Sequence, residues 1–156
     1  MKKFFPLIAF FILNFSALAI GGLFTKDAVV SDWYLSANKA PWTPPGWFFG
    51  FAWTSIMICF SFFMANKYNQ PNVNKKRLLV LFGIQWLLNI LWNPIFFHYH
   101  YILLALIVIM LLLACLLLFL VKEIKLKAKS NILLLLPYAI WLFIATSLNA
   151  YFLLLN

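Results

Sequence analysis

Three side-chain amides, Gln85, Asn89 and Asn93, stand four residues apart in a run that is otherwise apolar. At helical pitch they form one polar stripe along one face, flanked by Trp86 and Trp92. A second set, Tyr138, Trp141, Ala145 and Asn149, recurs at steps of three and four, and Gly50, Trp53, Thr54 and Met57 share a face in the same way. Amides in a low-dielectric medium either bond neighbouring helices together or line a cavity and orient what enters it. Indoles supply flat apolar walls with one N–H donor at the edge. The chemistry open to these residues is therefore binding, with a planar apolar ligand held between rings and oriented by a few hydrogen bonds. Core packing competes with that reading for each set. The convergence of three tryptophan-bearing faces favours a pocket.

Other chemistries lack their residues. No Asp, Glu, Lys or Arg falls inside an apolar run, where an ion-coupled transporter keeps one, and the three acids (Asp27, Asp32 and Glu123) read as loop residues. There is no glycine-rich phosphate loop and no Ser-His-Asp set. His98 and His100 sit in a HYHY turn, where an aromatic-belt role at the membrane surface is preferred over haem ligation. Cys59 and Cys115 stand singly, without metal-ligand spacing, and read as packing residues. No metal site is expected.

The elements that must position these residues are membrane spans. Of 156 residues, 66% are hydrophobic and only 10% charged, a composition suited to lipid rather than water. Five uncharged windows, at residues 4–24, 46–66, 78–97, 102–121 and 131–155, are each long enough to cross about 30 Å of hydrocarbon. The fold class expected is an all-α integral membrane protein, a bundle of five transmembrane helices forming a single domain over residues 1–156. The 21-residue connection at 25–45 exceeds ordinary helix–helix loops and reads as a lid. It leads into Trp33–Thr54, which holds four tryptophans and three prolines. The five residues from Phe97 to Tyr101 leave room only for a tight turn, so the third and fourth spans must be antiparallel neighbours.

The net charge of +9 does not point to nucleic acid, because the cations are segregated by side. Five alternating spans put ten of the twelve Lys/Arg on one face and only Lys26 and Lys39 on the other. The positive-inside rule then places the N-terminus in the cytoplasm and the C-terminus on the opposite side. Anionic headgroups are the natural partner of the lysines. The basic start and the Ala17-Leu18-Ala19 ending resemble a cleavable signal peptide, but the apolar run continues to Phe24 and is read as an uncleaved first span.

The run Trp33-Tyr34, then Lys39-Ala40-Pro41-Trp42-Thr43-Pro44-Pro45-Gly46-Trp47-Phe48-Phe49-Gly50-Phe51-Ala52-Trp53-Thr54, resembles the signature of the TspO/MBR family. These are the tryptophan-rich sensory proteins, related to the mitochondrial translocator protein or peripheral benzodiazepine receptor. Gln85-Trp86-Leu87-Leu88-Asn89 with Trp92-Asn93-Pro94-Ile95-Phe96-Phe97 is similar to the family's third-helix motif. Pro137-Tyr138-Ala139-Ile140-Trp141, Ala145-Thr146 and Leu148-Asn149 resemble its fifth-helix motif. The resemblance implies a five-helix bundle, commonly a homodimer, with a cavity closed by the first long loop and no obligatory cofactor. It also implies binding of tetrapyrroles such as protoporphyrin IX and haem. The ligand positions it carries over are Tyr34, Pro44, Trp53, Asn89, Trp92, Trp141 and Ala145. Some bacterial members are linked to light-dependent porphyrin breakdown, and Trp53 and Trp141 match the tryptophans concerned.

The chain departs from the family pattern in three places. Phe51 stands where a proline is usual, the Tyr and Met-Gly expected further along the second span are missing from Ile56–Ser61, and no Lys or Arg follows Tyr151. The last disfavours cholesterol as the natural ligand. The leading expectation is a membrane receptor or carrier for tetrapyrroles or similar planar hydrophobes. The alternatives are an enzyme degrading porphyrin in light through Trp53 and Trp141, and a regulatory membrane protein acting through partners.

Overall fold

The computed structural model describes residues 4–156; Lys2 and Lys3, part of the charge count above, lie outside the described residues. The helices are α1 (Phe5–Thr25), α2 (Asp32–Ser36), α3 (Gly46–Tyr68), α4 (Lys75–Asn93), α5 (Ile102–Lys125) and α6 (Lys129–Leu155). All but the short α2 are long and apolar enough to cross a membrane, which makes the chain an all-helical, multi-pass integral membrane protein. Helix boundaries follow local chemistry. Pro45 in extended backbone precedes α3, and the Asn74 side chain accepts the Arg77 N–H at 3.0 Å to cap α4.

Packing pairs α1 with α3, α3 with α6, α6 with α5, α5 with α4 and α4 back to α1, so the five spans close into a ring. Its inner half, towards the α3–α4 and α5–α6 turns, is filled by Phe60, Phe63, Phe119 and Tyr138, whose rings meet one another edge to face or stacked at 5.4–6.1 Å. Since lipid is as apolar as these rings, contact and polar bonds hold the spans together rather than any escape from water. Asn14 Nδ2 donates to Ser61 Oγ at 2.8 Å between α1 and α3, and Gln85 Nε2 donates to Tyr138 Oη at 2.6 Å between α4 and α6. Gly21 lets α1 approach α4 closely, for a Cβ there would lie 2.5 Å from Asn93 Nδ2.

Three details depart from the sequence expectations. Glu123 is no loop residue. It is buried in α5, its carboxylate 2.8 Å from the Nζ of Lys67, itself buried near the end of α3, and it accepts a 2.8 Å hydrogen bond from Asn131 Nδ2 of α6. Ending each span at its first charge cut these helices short, whereas a charge that finds an opposite partner can stay in the helix. Second, α4 does not pass straight into a turn. Pro94, lacking an N–H, opens one π-helical turn over Pro94–His98, closed by Tyr99 N–H to the Pro94 carbonyl at 2.9 Å. Third, the long loop is folded. It contains a 3₁₀ turn at Ala28–Val30 and the helix α2, capped by Ser31 Oγ accepting from the Tyr34 N–H.

Candidate ligand-binding site

The outer half of the ring is hollow. A cavity of about 540 Å³ lies among α1, α3, α4 and α6, roofed by the loop. That volume is within the usual range for small-molecule sites. All seven positions carried over from the resemblance line it: Tyr34 and Pro44 in the loop, Trp53 in α3, Asn89 and Trp92 in α4, Trp141 and Ala145 in α6. Helical spacing explains the last pair, since residues 141 and 145 are one turn apart on one face.

The walls are rings. Trp141 is 3% exposed and meets Phe49 edge to face at 5.2 Å, and Trp53 stands nearly perpendicular to it at 6.4 Å. Trp92 stacks on Phe96 at 5.1 Å, and its indole is held by donating to Asn149 Oδ1 at 3.0 Å. Asn149 in turn donates to the Ile102 carbonyl at 3.1 Å, tying α4, α6 and α5 at one level. The Trp141 indole N–H is buried and finds no acceptor among the described residues.

The amide stripe divides between the two roles open to it. Gln85 and Asn93 bond neighbouring helices, the latter accepting from Thr25 Oγ1 at 2.9 Å while also bordering the cavity. Asn89 lines the cavity, and its side-chain amide has no hydrogen-bond partner among the described residues. Trp86 does not belong to the site, because its indole donates to the Leu13 carbonyl at 2.7 Å on the α1–α4 flank. Thr54 also faces away, whereas Gly50, Trp53 and Met57 line the cavity.

Sequence reasoning missed two contributors. No candidate site residue was expected in the first span, yet Ala17, Gly21 and Thr25 of α1 line the cavity, and their four-residue spacing of small side chains is the available signal. None was expected in the fourth span either, yet Ile109 of α5 lines the cavity, and nothing in its surrounding Leu/Ile run marks it.

The roof is fastened along one side. Trp33 stacks on His100 at 3.9 Å, which makes that histidine a contact of the loop rather than a free element of the aromatic belt. Trp42 Nε1 donates to Ser147 Oγ at 3.1 Å. The Asn38 backbone N–H donates to Asn156 Oδ1 at 2.9 Å, and Asn156 Nδ2 returns a bond to the Asn38 carbonyl at 3.2 Å. Lys39, the one charged residue among those lining the cavity, places its Nζ 4.6 Å from the centre of the Tyr34 ring. Burial raises the Tyr34 phenol above its ordinary pKa, so it remains a neutral O–H donor at the cavity roof.

Residues 9–155 match the model of the TspO/MBR family. A tryptophan-rich protein TspO from Archaeoglobus fulgidus is 34% identical over 145 residues, covering 93% of this chain and 94% of that protein. A tryptophan-rich sensory protein from Cereibacter sphaeroides is 30% identical over 133 residues, 84% of this chain and 82% of the relative. A second tryptophan-rich protein TspO, from Chlorobaculum tepidum, is 34% identical over 142 residues, 87% and 86% of the two chains. With the match running from the first span to the last and the motif residues gathered around one cavity, the chain belongs to the TspO/MBR family.

Proposed function

We propose that the chain is a membrane receptor or carrier that binds tetrapyrroles, or similar planar hydrophobes, in the cavity beneath the loop. One observation carries this reading. Seven residues dispersed from position 34 to 145 line a single chamber whose walls are indole and phenyl rings, with an Asn89 side-chain amide that has no partner among the described residues. Flat walls suit a flat ring system, and the Asn89 amide would help fix its orientation. Lys39 is placed to meet acidic substituents near the roof, and no Asp or Glu lines the chamber to oppose them.

The lining fits the macrocycle better than a metal at its centre. It offers Met57 and the Tyr34 phenol but no imidazole or thiolate, and His98 and His100 lie outside it. Haem would therefore be recognised by its faces and acid groups rather than through its iron. A homodimer and a cytoplasmic N-terminus accompany this reading.

Titration of the protein in lipid nanodiscs with protoporphyrin IX, followed by tryptophan quenching, tests the reading. Saturable quenching with one porphyrin per chain is expected, and a linear, unsaturable response equal to that of empty nanodiscs would refute it. A second reading, light-driven porphyrin degradation, draws on the Trp53 and Trp141 rings being 6.4 Å apart in the same wall. Under illumination, bleaching of bound porphyrin that disappears in both Trp53→Phe and Trp141→Phe would favour it.

A further inference from the structure

A ligand can reach the cavity from water past the loop or from the side through the ring of spans, and the two routes are built differently. The water side is fastened by the Asn38–Asn156 pair, the Trp42–Ser147 bond and the Trp33–His100 stack. The α1–α3 seam is fastened only in its inner half. There Asn14 bonds Ser61, and Phe10 and Phe11 meet Tyr68 and Phe62 at 6.1 and 5.6 Å. Among the described residues, no hydrogen bond or ring contact joins α1 to α3 outward of Asn14.

In that outer stretch the seam is edged by glycine. Gly22 of α1 and Gly46 and Gly50 of α3 both line the cavity and are exposed. A Cβ added at any of the three would meet no atom within 4 Å. Gly21, one residue away, is the opposite case, since it abuts Asn93 and serves packing. The three exposed glycines thus border open space that runs from the cavity to the outside of the bundle. Both helices cross the bilayer, so the outside is lipid.

We propose that ligand exchanges between the cavity and the bilayer through this opening between α1 and α3, in the leaflet at the α2 end of the bundle, and not from water past the loop. The proposal rests on the reading of the cavity as a site for planar hydrophobes. Such compounds concentrate in the bilayer, and sideways entry trades lipid contact for indole contact without passing an apolar ring through water. Any acid groups on the ligand would stay at headgroup depth, close to Lys39.

Stopped-flow mixing of protoporphyrin IX with nanodisc-embedded protein separates route from affinity. Gly22→Leu and Gly50→Leu put a side chain into the opening from either edge. Each should slow association by about tenfold or more, whereas Ala145→Leu, which narrows the chamber from α6 and away from the α1–α3 seam, should weaken binding through faster dissociation with association within about threefold. Gly50→Ala should have a smaller effect in the same direction. Leucine favours helix more than glycine does, so thermal melting of these variants should match or exceed the parent's. The double variant Asn38→Ala/Trp42→Phe loosens the loop and should leave both rates within about twofold. Parental rates in both leucine variants, or marked acceleration in the loosened-loop variant, would overturn the lateral route while leaving the cavity reading intact. Failure of the unsubstituted protein to bind porphyrin would overturn both.

Discussion

At the scale of single residues, the difference between lining a cavity and packing against a neighbour can be measured. Ala145 borders the chamber, so leucine there should extend into open space and lower porphyrin affinity by about tenfold or more. Added apolar contact should hold or raise the melting temperature, since no packed neighbour is displaced. Lost melting together with lost binding would make Ala145 a packing contact. Gly21 supplies the opposite control. A methyl there would collide with the Asn93 amide, so Gly21→Ala should destabilise the protein by about 1–3 kcal/mol. Thermal denaturation of the two variants side by side tells overpacking from cavity filling. Asn89→Leu, which removes a free amide rather than a bonded one, should weaken porphyrin binding with little change in melting.

At the scale of elements, two assemblies hold the ends of the bundle. At the inner end, Lys67, Glu123 and Asn131 join α3, α5 and α6. Removing one member of a buried pair strands the other charge, so Glu123→Ala should cost about 3–5 kcal/mol, whereas replacing both with methionine should be far milder. Denaturation of the single and double variants in detergent checks this, and a double variant as unstable as the single would remove the pairing argument. At the outer end, the loop is held to the α4–α5 turn by Trp33 and His100, and to α6 by Asn38 and Trp42. Half-buried Lys39 should therefore resist trypsin until the Asn38→Ala/Trp42→Phe variant frees the loop. Bound porphyrin should then restore protection, and equal cleavage with and without it would argue against the loop as a roof.

At the scale of the whole molecule, the chain is a closed ring of five spans, solid in one half and hollow in the other. The bias of Lys and Arg sets its expected orientation, with the solid half towards the cytoplasm and the hollow half facing out. Single cysteines at the exposed positions Ser36 and Asn72, in a background with Cys59 and Cys115 replaced, would report the two ends to an impermeant thiol reagent added outside. Labelling at 36 without labelling at 72 is expected in intact cells or spheroplasts, and the reverse pattern would invert the topology.

Five spans, their approximate ends and a tryptophan-rich loop could all be read from the chain alone, because apolar length and charge are local properties and lipid leaves the backbone few other ways to cross. That seven dispersed positions belong together could be read too, but only through motif resemblance, and the ring arrangement is what brings them to the lining of one chamber. Other features depended on which faces meet. Gln85, Asn89 and Asn93 look alike along the chain, yet Gln85 bonds a neighbouring helix, Asn89 lines the cavity, and Asn93 does both. The same holds for Gly21 and Gly22, adjacent glycines of which one is pressed against an amide and the other borders open space. Lys67 and Glu123 were assigned to loops because a charge in hydrocarbon is costly by itself, and only the packing of α3 against its neighbours supplies the partner that lets each stay in its helix. A side chain's identity is written in the chain, while the medium and partner it meets are decided by how the helices assemble.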